Sequence, residues 1–329
     1  ELKSEFIRGI ENYKTTGKLS AVATLGTFDG IHLGHQAILE QVQEEAAQQS
    51  LMSVLITFDP HPRVVLTPGK APLLLTAYEE KEQFIPDYFK GKILVLAFDD
   101  KMRNMSAEDF VKTILVDKVG VKKLIVGYDH TLGKNRQGDV KELQRLGEKF
   151  GFEVGVVGPI MHDGQPISAS RIREDMKTGN FDEAVELLGH HYAIFGTVVR
   201  GMGLGKKLGF PTANVDYNEH KLLPPDGIYA CWAKVGGQDL NGIMFIGQNY
   251  FNPESAKSVE ANLFDFDRDI YGEGIFVYPT HFIRENRKFS STDALKAQMK
   301  KDKELVLNII KKEKENASRE RAQSSNCSR

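Results

Sequence analysis

The chain has 329 residues, 41% hydrophobic and 27% charged, long for one domain and comfortable for two. Its net charge of -2 gives no general reason to expect a nucleic acid or a membrane surface as partner. Its cysteines, Cys231 and Cys327, stand far apart without CxxC spacing, which excludes a disulfide framework or a zinc site and fits a reducing, cytoplasmic compartment; the acidic N-terminus has no signal-peptide core, and no apolar run reaches the roughly 18 residues of a membrane span.

Short apolar runs predict strands at 21–25, 54–58, 93–98, 124–126 and 154–157. Helical patterns lie between them at 36–49 and 107–118, the second opened by a capping box from Ser106 to Asp109. Continuous apolar strands separated by helices imply a parallel sheet covered on both faces. Polar clusters follow the predicted strands: His32 and His35 the first, Asp59-Pro60-His61-Pro62 the second, Asp129-His130 the fourth. Ligands on such sheets bind at the carboxyl ends of the strands.

After a helix at 181–188 the texture changes. Runs at 194–199, 228–235, 242–246, 259–266 and 274–278 read as strands joined by Gly, Asn, Asp and Pro, an antiparallel sheet or small barrel. A helical pattern from 293 to about 312 closes the chain. The expected division is 1–186, 187–314 and a polar, Ser-rich tail at 315–329 without fixed structure.

Two stretches carry anion chemistry in the first half. In GTFDGIHLGH (26–35), Gly26, Gly30 and Gly34 allow close backbone approach to a phosphate where a strand passes to a helix. His32 and His35 can donate N–H to charge developing on phosphate oxygens. The plainer alternative is that one histidine caps the helix and the other packs. In ISASRIR (167–173), Ser168 and Ser170 at a helix start, with Arg171 and Arg173, form an anion-binding constellation or else an N-cap with solvated arginines.

The second half holds GMGLGKKLGFPTAN (201–214). Gly201, Gly203, Gly205 and Lys206 fit a flap over phosphates, though not with P-loop spacing; a flexible hairpin is the plainer reading. Thr212 and Asn214 offer hard oxygen ligands suited to Mg2+. Glu260, on an alternating strand, reads as a base or as an outward-facing residue. His190-His191 reads as linker, Trp232 as core, and the Lys-rich C-terminal helix as a solvated face.

Together, GTFDGIHLGHQ, TFDPHP, GYDHTLGKNRQGD, ISASRIR, GFPTAN, SVEANLFDF and DIYG resemble the bacterial bifunctional riboflavin kinase/FMN adenylyltransferase (FAD synthetase) family. The resemblance implies a Rossmann-like nucleotidyltransferase domain with a parallel sheet, then a small antiparallel β-barrel kinase domain with a C-terminal helix. It implies ATP, riboflavin and FMN as small-molecule substrates, FAD as product and Mg2+ as metal, in a monomer or weak homo-oligomer. In the first domain it implies that His32 and His35 contact ATP phosphates in the transition state. Gly26, Phe28 and Gly34 shape that loop; Ser168, Ser170, Arg171 and Arg173 hold the triphosphate. Asp129 lies near the adenosine, and Phe58, Pro60 and His61 border the flavin. In the second domain Gly201, Gly203, Gly205, Lys206 and Pro211 bind ATP, Thr212 and Asn214 the metal. Glu260 takes the riboflavin 5′-hydroxyl proton, and Arg284 lies along the flavin or orders the flap.

Departures stand at Ala169, in place of a second serine, in the flap near Leu204 and Lys206, where the family more often has Arg, and at Asn249–Pro253, where it often reads GxxPT. Two rivals follow: a chain with one inactive domain, and a flavin-binding module without turnover, which would need no Glu260. A Rossmann dehydrogenase is excluded because the first strand ends in GTFDGIHLGH rather than GxGxxG.

Overall fold

A computed structural model describes residues 3–15, 17–132, 138–201, 203–207, 209–248 and 256–326. Backbone proximity divides the chain into two units. One runs to His190 and also takes His220–Leu222; the other comprises His191–Glu219 and Leu223 onward.

The first unit contains β1 (Glu5–Arg8), β2 (Ala21–Leu25), α1 (Leu33–Gln48), β3 (Met52–Asp59), α2 (Pro62–Leu66), α3 (Tyr78–Tyr88), β4 (Lys92–Ala97), α4 (Asp100–Asn104) and α5 (Ala107–Phe110). The chain continues from α5 through a π-helix, Val111–Val119, into β5 (Val121–Gly127) and the two-residue strands β6 (Thr131–Leu132) and β7 (Gly138–Asp139). Then come α6 (Val140–Phe150), β8 (Glu153–Val157), β9 (Met161–His162), β10 (Gln165–Pro166), α7 (Ala169–Thr178) and α8 (Phe181–Leu188). The main sheet has the order β1-β4-β3-β2-β5-β8, with every neighbouring pair parallel.

All five residues of β2 are buried, as expected of a strand covered on both faces. Ser106 caps α5 by accepting from the Asp109 amide at 3.0 Å. From β2 the chain builds outward through β3 and β4, then returns to β2's other side with β5. The sheet therefore changes direction at the carboxyl end of β2, where a ligand crevice forms and where residues 26–35 sit. Strand β1 joins this sheet as an edge that its mixed polar sequence did not announce.

In the second unit, β11 (Ile194–Val199), β12 (Ala213–Tyr217), β13 (Gly227–Val235), β14 (Gln238–Gly247), β15 (Ser258–Leu263) and β16 (Gly274–Arg284) close a barrel, with α9 (Leu204–Lys207) before β12 and α10 (Thr292–Asn326) at the end. Val235 pairs with Gln238, so Gly236 and Gly237 form a two-residue hairpin loop, both at positive φ (55° and 77°); that conformation suits the twist of the flanking strands. Strand β12 escaped the apolar pattern because only Val215 is buried among its five residues. Val306 of α10 packs with Ala230 and Phe264 of the barrel.

Three expectations need correction. Helix α10 runs on to Asn326, where a tail without order was expected from 315. Residues 313–326 contain no Gly or Pro, and nine of the fourteen are Glu, Arg, Ala, Lys or Gln, so helix propensity continues past the last apolar position; Cys327 lies outside the described residues. Trp232 is half-buried rather than core; it stacks on Tyr278 at 3.8 Å between ring centroids. His190 is more than linker: its Nε2 lies 2.7 Å from the Gly30 carbonyl, and its ring packs against Phe84. No helix among the described residues is long and apolar enough to cross a membrane.

Candidate active sites

Helix α1 starts three residues before its apolar pattern, because His32 is its N-cap. The His32 Nδ1 accepts from the Gly34 amide at 3.1 Å and the His35 amide at 3.3 Å. A ring nitrogen that accepts two backbone N–H groups carries no proton. The neutral ring therefore holds its hydrogen on Nε2, free to donate outward. Burial, with His190 and Arg173 nearby, pushes the His32 pKa down to about 4 against the opposing pull of Asp29. His35 stacks on His32 at 3.7 Å and 19°. Burial, then the neighbouring imidazole, holds its pKa well below the usual value, and its Nδ1 is buried without a hydrogen-bond partner. Two neutral imidazoles at a helix N-terminus can donate to phosphate oxygens without repelling each other. Both plain readings also hold: one histidine caps and the other packs.

The loop ahead of α1 is clamped from below. Phe28 and Ile31 adopt positive φ (50° and 46°), which costs non-glycine residues energy and persists only under firm constraint. Asp29, fully buried, accepts from the amides of Thr76 (2.9 Å) and Leu75 (3.3 Å) and forms an ion pair with Arg173. Burial alone would raise its pKa; Arg173, Lys81 and the Thr76 amide outweigh that and hold it below the usual carboxylate value. Thr76 Oγ1 accepts from the Gly30 amide at 2.9 Å. Lys81, buried on α3, donates to the Thr27 carbonyl at 2.5 Å. Phe28 turns its ring toward His35, with centroids 5.2 Å apart, and lies in van der Waals reach of a Cβ built at Gly26 (3.4 Å).

The second stretch arrives beside the first. A Cβ on Gly34 would meet His32 Cε1 at 3.0 Å and the Ile167 carbonyl at 3.8 Å, so the two helix starts converge. Ser168 caps α7 by accepting from the Arg171 amide at 3.2 Å; Ser170 is exposed in its first turn. The arginines are not solvated. Arg171 donates to the His162 and Gln165 carbonyls and pairs with Glu183 at 3.1 Å. Arg173 is buried against Asp29 and the Leu73 carbonyl.

Of the residues expected to border the flavin, Phe58 belongs to the core, edge-on to Phe98 at 5.7 Å. The Asp59–Pro60 bond is cis, and His61 caps α2, accepting from the Arg63 amide at 3.1 Å. Burial takes the His61 pKa to about 4. Asp129 is exposed after β5, its Oδ1 lying 3.3 Å from where a Gly127 Cβ would stand.

In the barrel, Asn214 pairs with Glu260 across β12 and β15, and directly opposed residues share a face. Thr212 lies two positions before Asn214 on that face. All three line a cavity of about 1310 Å³ with Gly201, Gly203, Gly205 and Arg284. Glycine is required at 201: a Cβ there would fall 2.1 Å from the Asn214 amide nitrogen. At 205 it would fall 2.4 Å from the Phe210 carbonyl. Burial raises the Glu260 pKa, which makes it a stronger base than a surface carboxylate. The Pro211 carbonyl accepts from Asn262 at 2.7 Å, fixing the turn into β12. Lys206 lies in α9 and does not line the cavity. Arg284 forms a fork with Asp302 of α10 (Nη2 to Oδ2, 2.8 Å), also on the cavity wall. The Asn249–Pro253 departure lies outside the described residues, as do Met202, Leu208 and 133–137.

Sequence reasoning missed Lys81, Thr76 and Asp302, and gave Asp29 no role. Lys81 had a signal: it shares the apolar face of its helix with Phe84 and Ile85, three and four positions on. Asp302 had none, because it stands in a run of charged residues and its partner Arg284 lies 18 positions away.

The architecture defines a class: a nucleotidyltransferase-type α/β unit joined in one chain to a kinase-type barrel. The family model described as FAD synthetase matches residues 15–171, and the one described as riboflavin kinase matches 188–310. A bifunctional riboflavin kinase/FMN adenylyltransferase of Escherichia coli is 35% identical over 91% of this chain and 95% of its own length. One from Listeria monocytogenes is 36% identical over 87% of this chain and 91% of its own. A solved structure described as a macrolide-efflux protein from Streptococcus pneumoniae matches with a TM-score of 0.79 and 30% identity, over 93% of this chain and 99% of that one. The chain belongs to the bifunctional riboflavin kinase/FMN adenylyltransferase family.

Proposed function

We propose that the barrel phosphorylates riboflavin with ATP, giving FMN and ADP, and that the N-terminal unit adenylylates FMN with a second ATP, giving FAD and pyrophosphate. The observation that carries this reading is that each unit gathers a polar cluster of its own kind: His32 and His35 at the start of α1 in one, Thr212, Asn214 and Glu260 on a cavity wall in the other. In the barrel, Glu260 takes the proton of the riboflavin 5′-hydroxyl as its oxygen attacks the γ-phosphorus and ADP leaves. The oxygens of Thr212 and Asn214 suit Mg2+, and only glycine at 201 lets the backbone pass the Asn214 amide without a collision. When bound, Mg2+ would supply charge neutralisation at the phosphates.

In the first unit, an FMN phosphate oxygen attacks the α-phosphorus of ATP and pyrophosphate leaves. No side chain needs to form a covalent bond. The His32 Nε2–H and the His35 ring donate to phosphate oxygens as charge moves onto the leaving group, with the α1 N-terminus adding its dipole. Arg173 and Asp29 act beneath the loop, holding it, rather than on the triphosphate. The chain's further partners are small molecules only, and it works as a monomer or weak homo-oligomer in the cytoplasm.

Incubation with riboflavin, ATP and Mg2+, with flavins separated by chromatography, tests the reading. FMN should appear first and FAD after it. FAD formed only when FMN is supplied would sink the kinase half; FMN accumulating without FAD would sink the other.

A further inference from the structure

The first unit is not built from one continuous stretch of chain. After β12 the backbone leaves the barrel unit at Glu219, contributes His220–Leu222 to the first unit, and returns at Leu223. These residues lie beside Leu74 as a short parallel bridge: the Leu74 amide donates to the His220 carbonyl at 2.6 Å and the Leu222 amide to the Leu74 carbonyl at 2.8 Å. Between them Lys221 enters the interior. Its Nζ donates to the Leu75 carbonyl at 2.6 Å and to Glu80 Oε2 at 2.7 Å, with side-chain exposures of 1% for Lys221 and 0% for Glu80.

The segment that Lys221 grips is the one that grips the nucleotide loop. Leu75 offers its carbonyl to Lys221 and its amide to Asp29. Thr76 binds Asp29 through both amide and hydroxyl and receives the Gly30 amide. Glu80 Oε2 also accepts from the Ala77 amide at 2.7 Å, fixing the start of α3. An unbroken run of buried hydrogen bonds thus joins Lys221 to the strained turn two residues before His32.

We propose that Lys221 is a positioning residue for adenylyl transfer: it sets Leu75 and Thr76, and through them Asp29, Gly30 and the His32 cap. The proposal rests on adenylyl transfer occurring at the His32 site. Its sense is that the N-terminal activity needs a lysine encoded within the kinase half of the sequence. A buried ion pair by itself is weak evidence for stability. A lysine that also caps the carbonyl of a loop-holding residue has a geometric task, and small displacements of a reacting site cost rate.

The test uses the full chain. Lys221→Met removes the cation beside the buried Glu80 carboxylate, so the Glu80→Gln/Lys221→Met double variant accompanies it. It keeps the Ala77 contact, carries no buried charge at this point, and still lacks the donor to Leu75. In the double variant the kcat of FMN adenylylation should fall about tenfold or more while KM for ATP changes far less. Riboflavin phosphorylation should keep its parental rate, and amide exchange should quicken in residues 26–34. Adenylylation at the parental rate with unchanged exchange would overturn the proposal, as would an equal fall in both activities. A parent chain without adenylylation would instead sink the functional reading, and the exchange measurement would still decide whether Lys221 sets the loop.

Discussion

The His32 loop and the Glu260 cavity, the two sites proposed to handle phosphate, hold their side chains in different ways. The loop is fixed by buried charge. Asp29 and Arg173, with Lys81 on the Thr27 carbonyl, lock a strained turn, and both histidines are kept neutral by burial. The barrel is fixed by strand register: Asn214 and Glu260 face the cavity because they are opposed across β12 and β15. A charge network is specific but fails when one member is lost. Register is shared over a whole ladder and tolerates the loss of one side chain. Substitutions should therefore harm folding in the first site and chemistry alone in the second.

The largest effect is expected at Glu260. Glu260→Gln should lower the rate of riboflavin phosphorylation by about 10²–10⁴-fold, the range for a general base, while thermal unfolding and FMN adenylylation stay as in the parent. A melting temperature that fell with the rate would break the contrast. Next comes His32. His32→Asn keeps a capping oxygen but loses the outward Nε2–H, and should cost about 10²–10³-fold in adenylylation. His32→Ala should also cost roughly 1 kcal/mol of stability through the lost cap, read from the difference between the two denaturation curves.

Asp29→Asn should destabilise the first unit by about 3–5 kcal/mol, because Arg173 is left buried without its partner charge. Denaturant unfolding followed by a probe in each unit would show it. An unfolding curve unchanged from the parent would remove the charge-network half of the contrast.

The same burial sets a pH dependence. His32 and His130 both have folded pKa values of about 4, against about 6.5 when unfolded. Between those values the unfolded chain binds more protons, so stability is full above pH 6.5 and falls as the pH drops toward 4, by up to roughly 3 kcal/mol per histidine. Adenylylation should show no His32 titration between pH 8 and 5; a midpoint near 6.5 in its rate profile would show that the cap leaves the ring free to protonate. The smallest effect is expected at Asp302. Asp302→Asn weakens the fork on Arg284 and should change the kinase KM by about tenfold or less, within the worth of one charged hydrogen bond, without touching adenylylation.

How far the sequence foretold this follows the same division. Strand β2 was legible to the residue because four apolar residues around Thr24, with no charge among them, belong to a strand covered on both faces. Asn214 and Glu260 were legible as residues, but their opposition was not, because register depends on the barrel's closure and β12 carries one buried side chain. In the loop the two histidines stood out, whereas the groups holding them did not. Arg173 is 144 positions from Asp29, and Lys221 is 141 from Glu80; no local period spans such distances. The arginines of ISASRIR looked like ligands because their partners are invisible in a linear reading.

The His32 cap has one more consequence. A single lone pair on Nδ1 both starts helix α1 and decides which edge of the ring bears hydrogen. Under the proposed role of His32, folding and reactivity draw on the same two electrons, and neither can drift alone. A substitution that abolishes the chemistry but spares the helix must bring another short acceptor, which leaves Asn, Asp, Ser and Thr as the narrow set of neighbours through which this position could pass in an unreactive descendant.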